Sequence, residues 1–252
     1  MHYIIHIATA YQSFKAQSQA IQELIWSRTQ NGLRTRDPNH PILTTTLDQY
    51  LAKESPDMAT LTALLKTKMA LTPEFGHIIA IGKALVENGS DPKVKVMVTS
   101  TAKQEKDLLE KFWAGLSTLI KRDGIPTFVS WNGLEFTFPY IVERSIALGV
   151  EPSCVLPRAR FQPWKHIDLL AELGNYDAYR YVDLKSRLAL WGLKLSNNGK
   201  EANLENAEYL IEEWRKGNFK PLRENLTLTI DAIHQILRKA IPHLPDRKNN
   251  GW

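Results

Sequence analysis

Short apolar runs alternate with amphipathic stretches of helical period along this chain, and that alternation confines it to an α/β architecture. Residues 3–7 read as a buried strand, and a helix over 12–29 follows with Phe14, Ile21, Leu24 and Ile25 on one side. The Pro-, Asn- and Thr-rich stretch 31–46 reads as a loop. Ser55-Pro56-Asp57 starts a helix, with Pro56 at its first position, that buries Met58, Leu61, Leu65 and Met69. Strands over 77–85 and 94–99 flank the turn-forming residues 87–92 and predict a hairpin. Thr101 and Gln104 have the spacing of a capping box, ahead of a helix carrying Leu108, Leu109, Phe112, Leu116, Leu119 and Ile120. Gly124-Ile125-Pro126 ends that helix, 127–131 is a strand, and a helix over 139–148 stops at Gly149. Helices over 184–191, 204–216 (stopped by Gly217) and 222–239 complete the chain. The order predicts a mixed sheet flanked by helices in one domain over 1–240, followed by a tail over 241–252.

Composition narrows the function classes. With 43% hydrophobic and 23% charged residues in 252, the chain is neither a collagen, a coiled coil, a disordered tail nor a disulfide scaffold. Its one cysteine, Cys154, forbids an internal disulfide and a cysteine-built metal site, and fits a reducing compartment. No segment approaches the roughly 18 apolar residues of a membrane span, and the first residues lack a basic leader. The expected location is cytoplasmic, with no membrane partner. A net charge of +5 leans mildly toward polyanions.

The stretch 128–140, FVSWNGLEFTFPY, carries the most chemistry. A strand ends in Trp-Asn-Gly and a helix starts at Pro139, which puts Asn132 and Gly133 at the carboxyl edge of the sheet, where open α/β sheets bind ligands. Asn132 and Gly133 serve either as turn formers or as backbone contacts to a phosphate or base. Trp131 and Phe136 flank them, as core residues or as the lining of a nucleotide groove. Downstream, Arg158, Arg160, Trp164 and Lys165 make a basic-aromatic cluster in PRARFQPWKH. Such a loop either holds phosphates and stacks a base or is simply solvated.

The stretch 128–140 resembles the second motif, W/F-N-G-x-x-F-D-x-P, of the predicted 3′-5′ exonucleases related to the proofreading domain of family B DNA polymerases. PEFGHIIAI (73–81), KHIDLL (165–170), the helix over 184–194 and the helix over 217–237 resemble further segments of that family in the same order. The first strand resembles its opening hydrophobic-hydrophobic-Asp-x-Glu-Thr. The resemblance runs over about residues 1–240, with an insertion-like helical stretch near 10–70. It implies the ribonuclease-H-like, DnaQ-type exonuclease fold.

It also implies a chemistry. In that family two divalent ions, Mg²⁺ or Mn²⁺ about 3.5–4 Å apart, clamp the scissile phosphate and need several carboxylates to hold them. The resemblance places the family's four carboxylates at His6, Ala8, Thr137 and Thr229, none of which is acidic. Asp231 follows Thr229 by two residues, but the stripe Leu222, Leu226, Ile230, Ile233 and Leu237 turns it away from the core. Glu135 and Asp168 are the acids left as substitutes, and His6 reads first as a core histidine. The expected protein is a degenerate exonuclease that binds single-stranded nucleic acid without hydrolysis and holds no metal. The alternatives are an active metal-dependent 3′-5′ exonuclease with a rearranged site, and a scaffold subunit for a protein partner.

Overall fold

The elements run β1 (His2–Tyr11), α1 (Gln19–Arg36), α2 (Leu47–Leu51), α3 (Met58–Ala70), β2 (Gly76–Val86), β3 (Lys93–Val98), α4 (Glu105–Asp123), β4 (Thr127–Ser130), α5 (Phe138–Leu148), β5 (His166–Asp168), α6 (Leu169–Leu173), α7 (Leu184–Leu190), β6 (Leu195–Asn197), β7 (Lys200–Ala202), α8 (Ala207–Arg215) and α9 (Lys220–Ala240). They are seen in a computed structural model that describes residues 1–55, 57–87, 90–160, 165–176, 182–197 and 199–244. The described chain divides into two compact units, one of residues 1–8 with 78–252 and one of residues 9–77.

In the larger unit, five strands form one sheet in the order β3-β2-β1-β4-β5. β1 pairs in parallel with β4 (Tyr3 opposite Phe128), and β4 in parallel with β5 (Ser130 opposite Asp168). β2 and β3 are antiparallel, with Gly82 opposite Val96. The expected mixed sheet flanked by helices is therefore present. β6 and β7 pair separately as a small hairpin.

Alternation along β1 divides the core. Tyr3, Ile5 and Ile7 pack with Leu109, Phe112 and Leu116 of α4 and Phe138 and Ile141 of α5. Ile4 turns to the other face, where Ile230, Ile233 and Leu237 of α9 meet Val129 and Ile167. Gly82 brings β2 against that helix; a Cβ there would lie 3.3 Å from Ile230 and 3.4 Å from Leu226. Under α4, the buried Glu105 accepts the Ile78 amide at 2.7 Å and pairs with Arg144 at 2.6 Å, so its charge is balanced where it is dry.

The unit of residues 9–77 is helical. Asp57 caps α3 by accepting the Thr60 amide, and Thr46 and Gln49 form a reciprocal capping box at α2. α3 buries Leu61, Leu65 and Met69 as expected, whereas Met58 at its first position is only half-buried, and Trp26 of α1 packs on Tyr50 at 5.4 Å.

Several expectations are corrected. α1 starts at Gln19 and runs to Arg36, into the stretch read as a loop, and it buries Ile25 while Ile21 and Leu24 stay exposed. Phe14 belongs to a separate single turn before it. No capping box forms at Thr101: its side chain caps nothing, and Gln104 instead accepts the amide and hydroxyl of Ser100 at 2.8 and 2.7 Å. The helix before Gly217 begins at Ala207, because the Asn206 side chain caps it. Pro56 and the turn centre at 88–89 lie outside the described residues.

Candidate functional site

The site is built where β4 ends. After Ser130 the chain passes Asn132, held in the left-handed region at φ 60°, and enters one wide π-type turn over Gly133–Thr137 that runs directly into α5. Gly133 is required there for space rather than for backbone angle. A Cβ on it would lie 2.7 Å from Ser130 Cβ, closer still to Ser130 Oγ, and 3.0 Å from His166 Cε1. Ser130 Oγ and His166 Nε2 are hydrogen-bonded at 2.7 Å, both buried, and the His166 ring stacks near Phe138 at 4.4 Å. Neither the serine–histidine pair nor the close approach of Gly133 was read from sequence; the only signal was the N-G dipeptide itself.

Asp168 ties this turn to the next strand. Its Oδ1 accepts the amides of Asn132 at 2.9 Å, Leu170 at 3.1 Å and Ala171 at 3.5 Å, and its Oδ2 accepts that of Leu134 at 2.8 Å. Burial pushes the carboxyl above its usual range, against the lowering pull of the four amide donors. Asp168 is thus both the cap of α6 and the anchor of the strand-to-helix turn.

The remaining acid of the turn, Glu135, is exposed and pairs with Arg160 at 2.5 Å. Asn132, Leu134, Glu135, Arg160, Asp168 and Leu170 border a recess of about 10 Å³, which is room for no more than a water molecule. Arg158 and Lys165 are exposed nearby in sequence, whereas Trp131 is buried with Val129 and Ile167, and Phe136 is half-buried 5.4 Å from Tyr140. Trp164 lies outside the described residues.

Of the positions that the exonuclease resemblance assigns to carboxylates, Thr137 and Thr229 are buried and His6 and Ala8 are half-buried. His6 and Ala8 share the strand register of Ile4 and so face α9, the helix that carries the buried Thr229. The Thr229 hydroxyl donates to the Asn225 carbonyl at 2.8 Å. The Thr137 hydroxyl and His6 Nδ1 are buried and meet no hydrogen-bonding partner. Burial lowers His6 to about 4, so its imidazole is neutral at pH 7. Asp231 is partly buried and bonded to Gln235 at 2.8 Å. Two hard cations need several carboxylate oxygens, and this set offers a neutral imidazole, a methyl group and two hydroxyls. The residues do not fit a two-metal centre. Among the described residues no group of three or more His, Cys, Asp or Glu side chains is placed to hold a metal ion.

Residues 70–201, just over half of the chain, match a family model described as a predicted 3′-5′ exonuclease related to the exonuclease domain of PolB. The match takes in Thr137 and Asp168; β1 and α9 lie outside it. Among solved structures, the family B DNA polymerase of the hyperthermophilic archaeon Pyrobaculum calidifontis superposes with a TM-score of 0.52 at 15% identity, over 68% of this chain and 22% of the polymerase. The chain therefore spans about a fifth of that protein's length, and the likeness is one of fold. No curated protein matches.

Proposed function

Because this chain belongs to the family of predicted 3′-5′ exonucleases related to the exonuclease domain of PolB, we propose that it is a degenerate member, a cytoplasmic protein that binds single-stranded nucleic acid without hydrolysing it. Residues 10–70 are then an insertion within one exonuclease-type domain over 1–240, and no divalent ion is needed. The observation that carries the reading is the content of the four carboxylate positions: His6, Ala8, Thr137 and Thr229 hold no anionic oxygen. Like charges gathered in a low-dielectric site repel unless metal neutralises them, so neutral, small replacements are what loss of the metal favours. Glu135 and Asp168 do not restore the cage, since one is drawn off by Arg160 and the other spends both oxygens on backbone amides. The binding surface in this reading is the rim formed by the half-buried Asn132 and the exposed Arg158, Arg160 and Lys165.

The experiment is a 5′-labelled single-stranded DNA or RNA oligonucleotide incubated with the protein in Mn²⁺ or Mg²⁺, against an EDTA control. The products are split between a denaturing and a native gel. Retardation without shortening is expected, and it weakens markedly between about 50 and 200 mM salt as phosphate contacts release counterions. Metal-dependent shortening that disappears in Glu135→Ala would instead mean an active, rearranged nuclease site. Neither signal would mean a scaffold for a protein partner.

A further inference from the structure

The β2–β3 hairpin carries three lysines that no carboxylate pairs with among the described residues. Lys83 on β2 stands directly opposite Lys95 on β3, and Lys93 lies two residues from Lys95, opposite Leu85. Ile81, Leu85 and Met97 of the same strand registers pack on the α4 cluster, so the three lysines share the α4 face of the sheet. Lys83 confirms that side: its ammonium lies 5.8 Å from the Phe112 ring centre, and a Cβ on Gly115 would meet it at 3.1 Å.

Lysines on an edge strand are an ordinary guard against strand-to-strand aggregation, and that accounts for the exposed Lys93 and Lys95. It does not account for Lys83. This residue is on an interior strand, half-buried, with a like charge directly across from it, an arrangement that destabilises a strand pair. Among the described residues no carboxylate pairs with any of the three ammonium groups, although ion pairs form elsewhere on the surface, such as Lys216 with Glu213. Burial and the Lys95 charge together hold Lys83 below its ordinary range. The Phe112 ring face offsets part of that cost, and an anion arriving from outside would offset more.

We propose that the α4 face of the β2–β3 hairpin holds a phosphodiester strand, with Lys83, Lys93 and Lys95 meeting its phosphate oxygens. Lys93 and Lys95 are about 7 Å apart along the strand, a spacing comparable to the step between successive phosphates of an extended nucleic acid. The inference rests on the reading that this chain binds nucleic acid, and it adds a surface distinct from the Arg158–Arg160 rim.

The test compares three proteins by fluorescence anisotropy on a labelled 20-nucleotide single-stranded DNA and its RNA counterpart: wild type, Lys93→Gln/Lys95→Gln and Arg158→Gln/Arg160→Gln. The substituted side chains are exposed, and unchanged thermal melting checks the fold. The hairpin variant is expected to bind about ten-fold more weakly, with a salt slope shallower by about 1–2. In parallel, amine acylation read by mass spectrometry is expected to show Lys83 protected by the oligonucleotide but not by inorganic phosphate at the same phosphate concentration. Wild-type affinity and slope in the hairpin variant, or Lys83 equally reactive with and without the oligonucleotide, overturns the proposal. If the arginine variant alone loses binding, the hairpin proposal falls and the nucleic-acid reading stands. If the wild type binds neither oligonucleotide, both fall.

Discussion

Gly133 sits so close to Ser130 that a Cβ on it would come within 2.7 Å of the serine Cβ. The turn is therefore defined by what it lacks, and Gly133→Ala is expected to destabilise the protein by about 2–3 kcal/mol, the scale of overpacking a close-packed site. The melting temperature should fall by about 5–10 °C for a chain of this size. Adding Ser130→Gly, which removes both colliding atoms, should recover part of that loss. A Gly133→Ala protein that melts like wild type would mean the turn has room.

Asp168 bonds to amides in two separate segments, so its removal orphans buried donors in both. Asp168→Ala is expected to cost about 3–5 kcal/mol by urea denaturation, and Asp168→Asn, which keeps one acceptor oxygen, about 1–2 kcal/mol. Equal losses in the two variants would contradict the hydrogen-bonding account.

His6 makes stability depend on pH with a definite sign. Unfolded, the imidazole titrates near 6.5; folded, burial lowers it to about 4. Between those values the unfolded chain holds a proton that the native chain refuses. Stability is therefore full above about pH 6.5 and declines as pH falls toward 4. Wild type should lose about 2 kcal/mol more than His6→Leu between pH 7 and 4.5, a comparison that cancels the carboxylates common to both. Parallel declines would exclude His6 as the cause.

Restoring the carboxylates tests the degenerate reading from the opposite direction. The quadruple variant His6→Asp, Ala8→Glu, Thr137→Asp and Thr229→Asp should melt below wild type in EDTA, because four acids would then repel one another in a dry site. Millimolar Mn²⁺ should raise its melting point while leaving wild type unmoved. Wild type that gains as much from Mn²⁺ would mean an intact metal site made of other ligands.

The Glu135–Arg160 pair is about half exposed on both sides, so Glu135→Ala should change stability by less than about 0.5 kcal/mol. A larger loss on thermal melting would show that the pair braces the turn.

Much of the fold was legible because periodicity survives wherever one face of an element is buried. The α9 stripe Leu222, Leu226, Ile230, Ile233 and Leu237 is buried throughout, and the β2–β3 hairpin forms where its alternating runs and turn residues put it. The bounds of α1 are not legible in its periodicity, because Ile21 and Leu24 look like a buried face and are exposed. Chain-local patterns also failed at Thr101, because the Gln104 side chain accepts instead from the two donors of Ser100.

By itself the sequence determined the long helices α4, α5 and α9, the strands β1, β2, β3 and β4 and the mixed sheet they build, since these depend on local order and residue chemistry. The tertiary structure alone decided what surrounds them. Ser130 reaches His166 across 36 positions of chain, and Asp168 reaches Asn132 across the same separation. Lys83 and Lys95 oppose one another only because of strand register. Hydrogen bonding, desolvation and charge opposition between residues far apart in sequence are fixed by folding in three dimensions, and no local pattern encodes them.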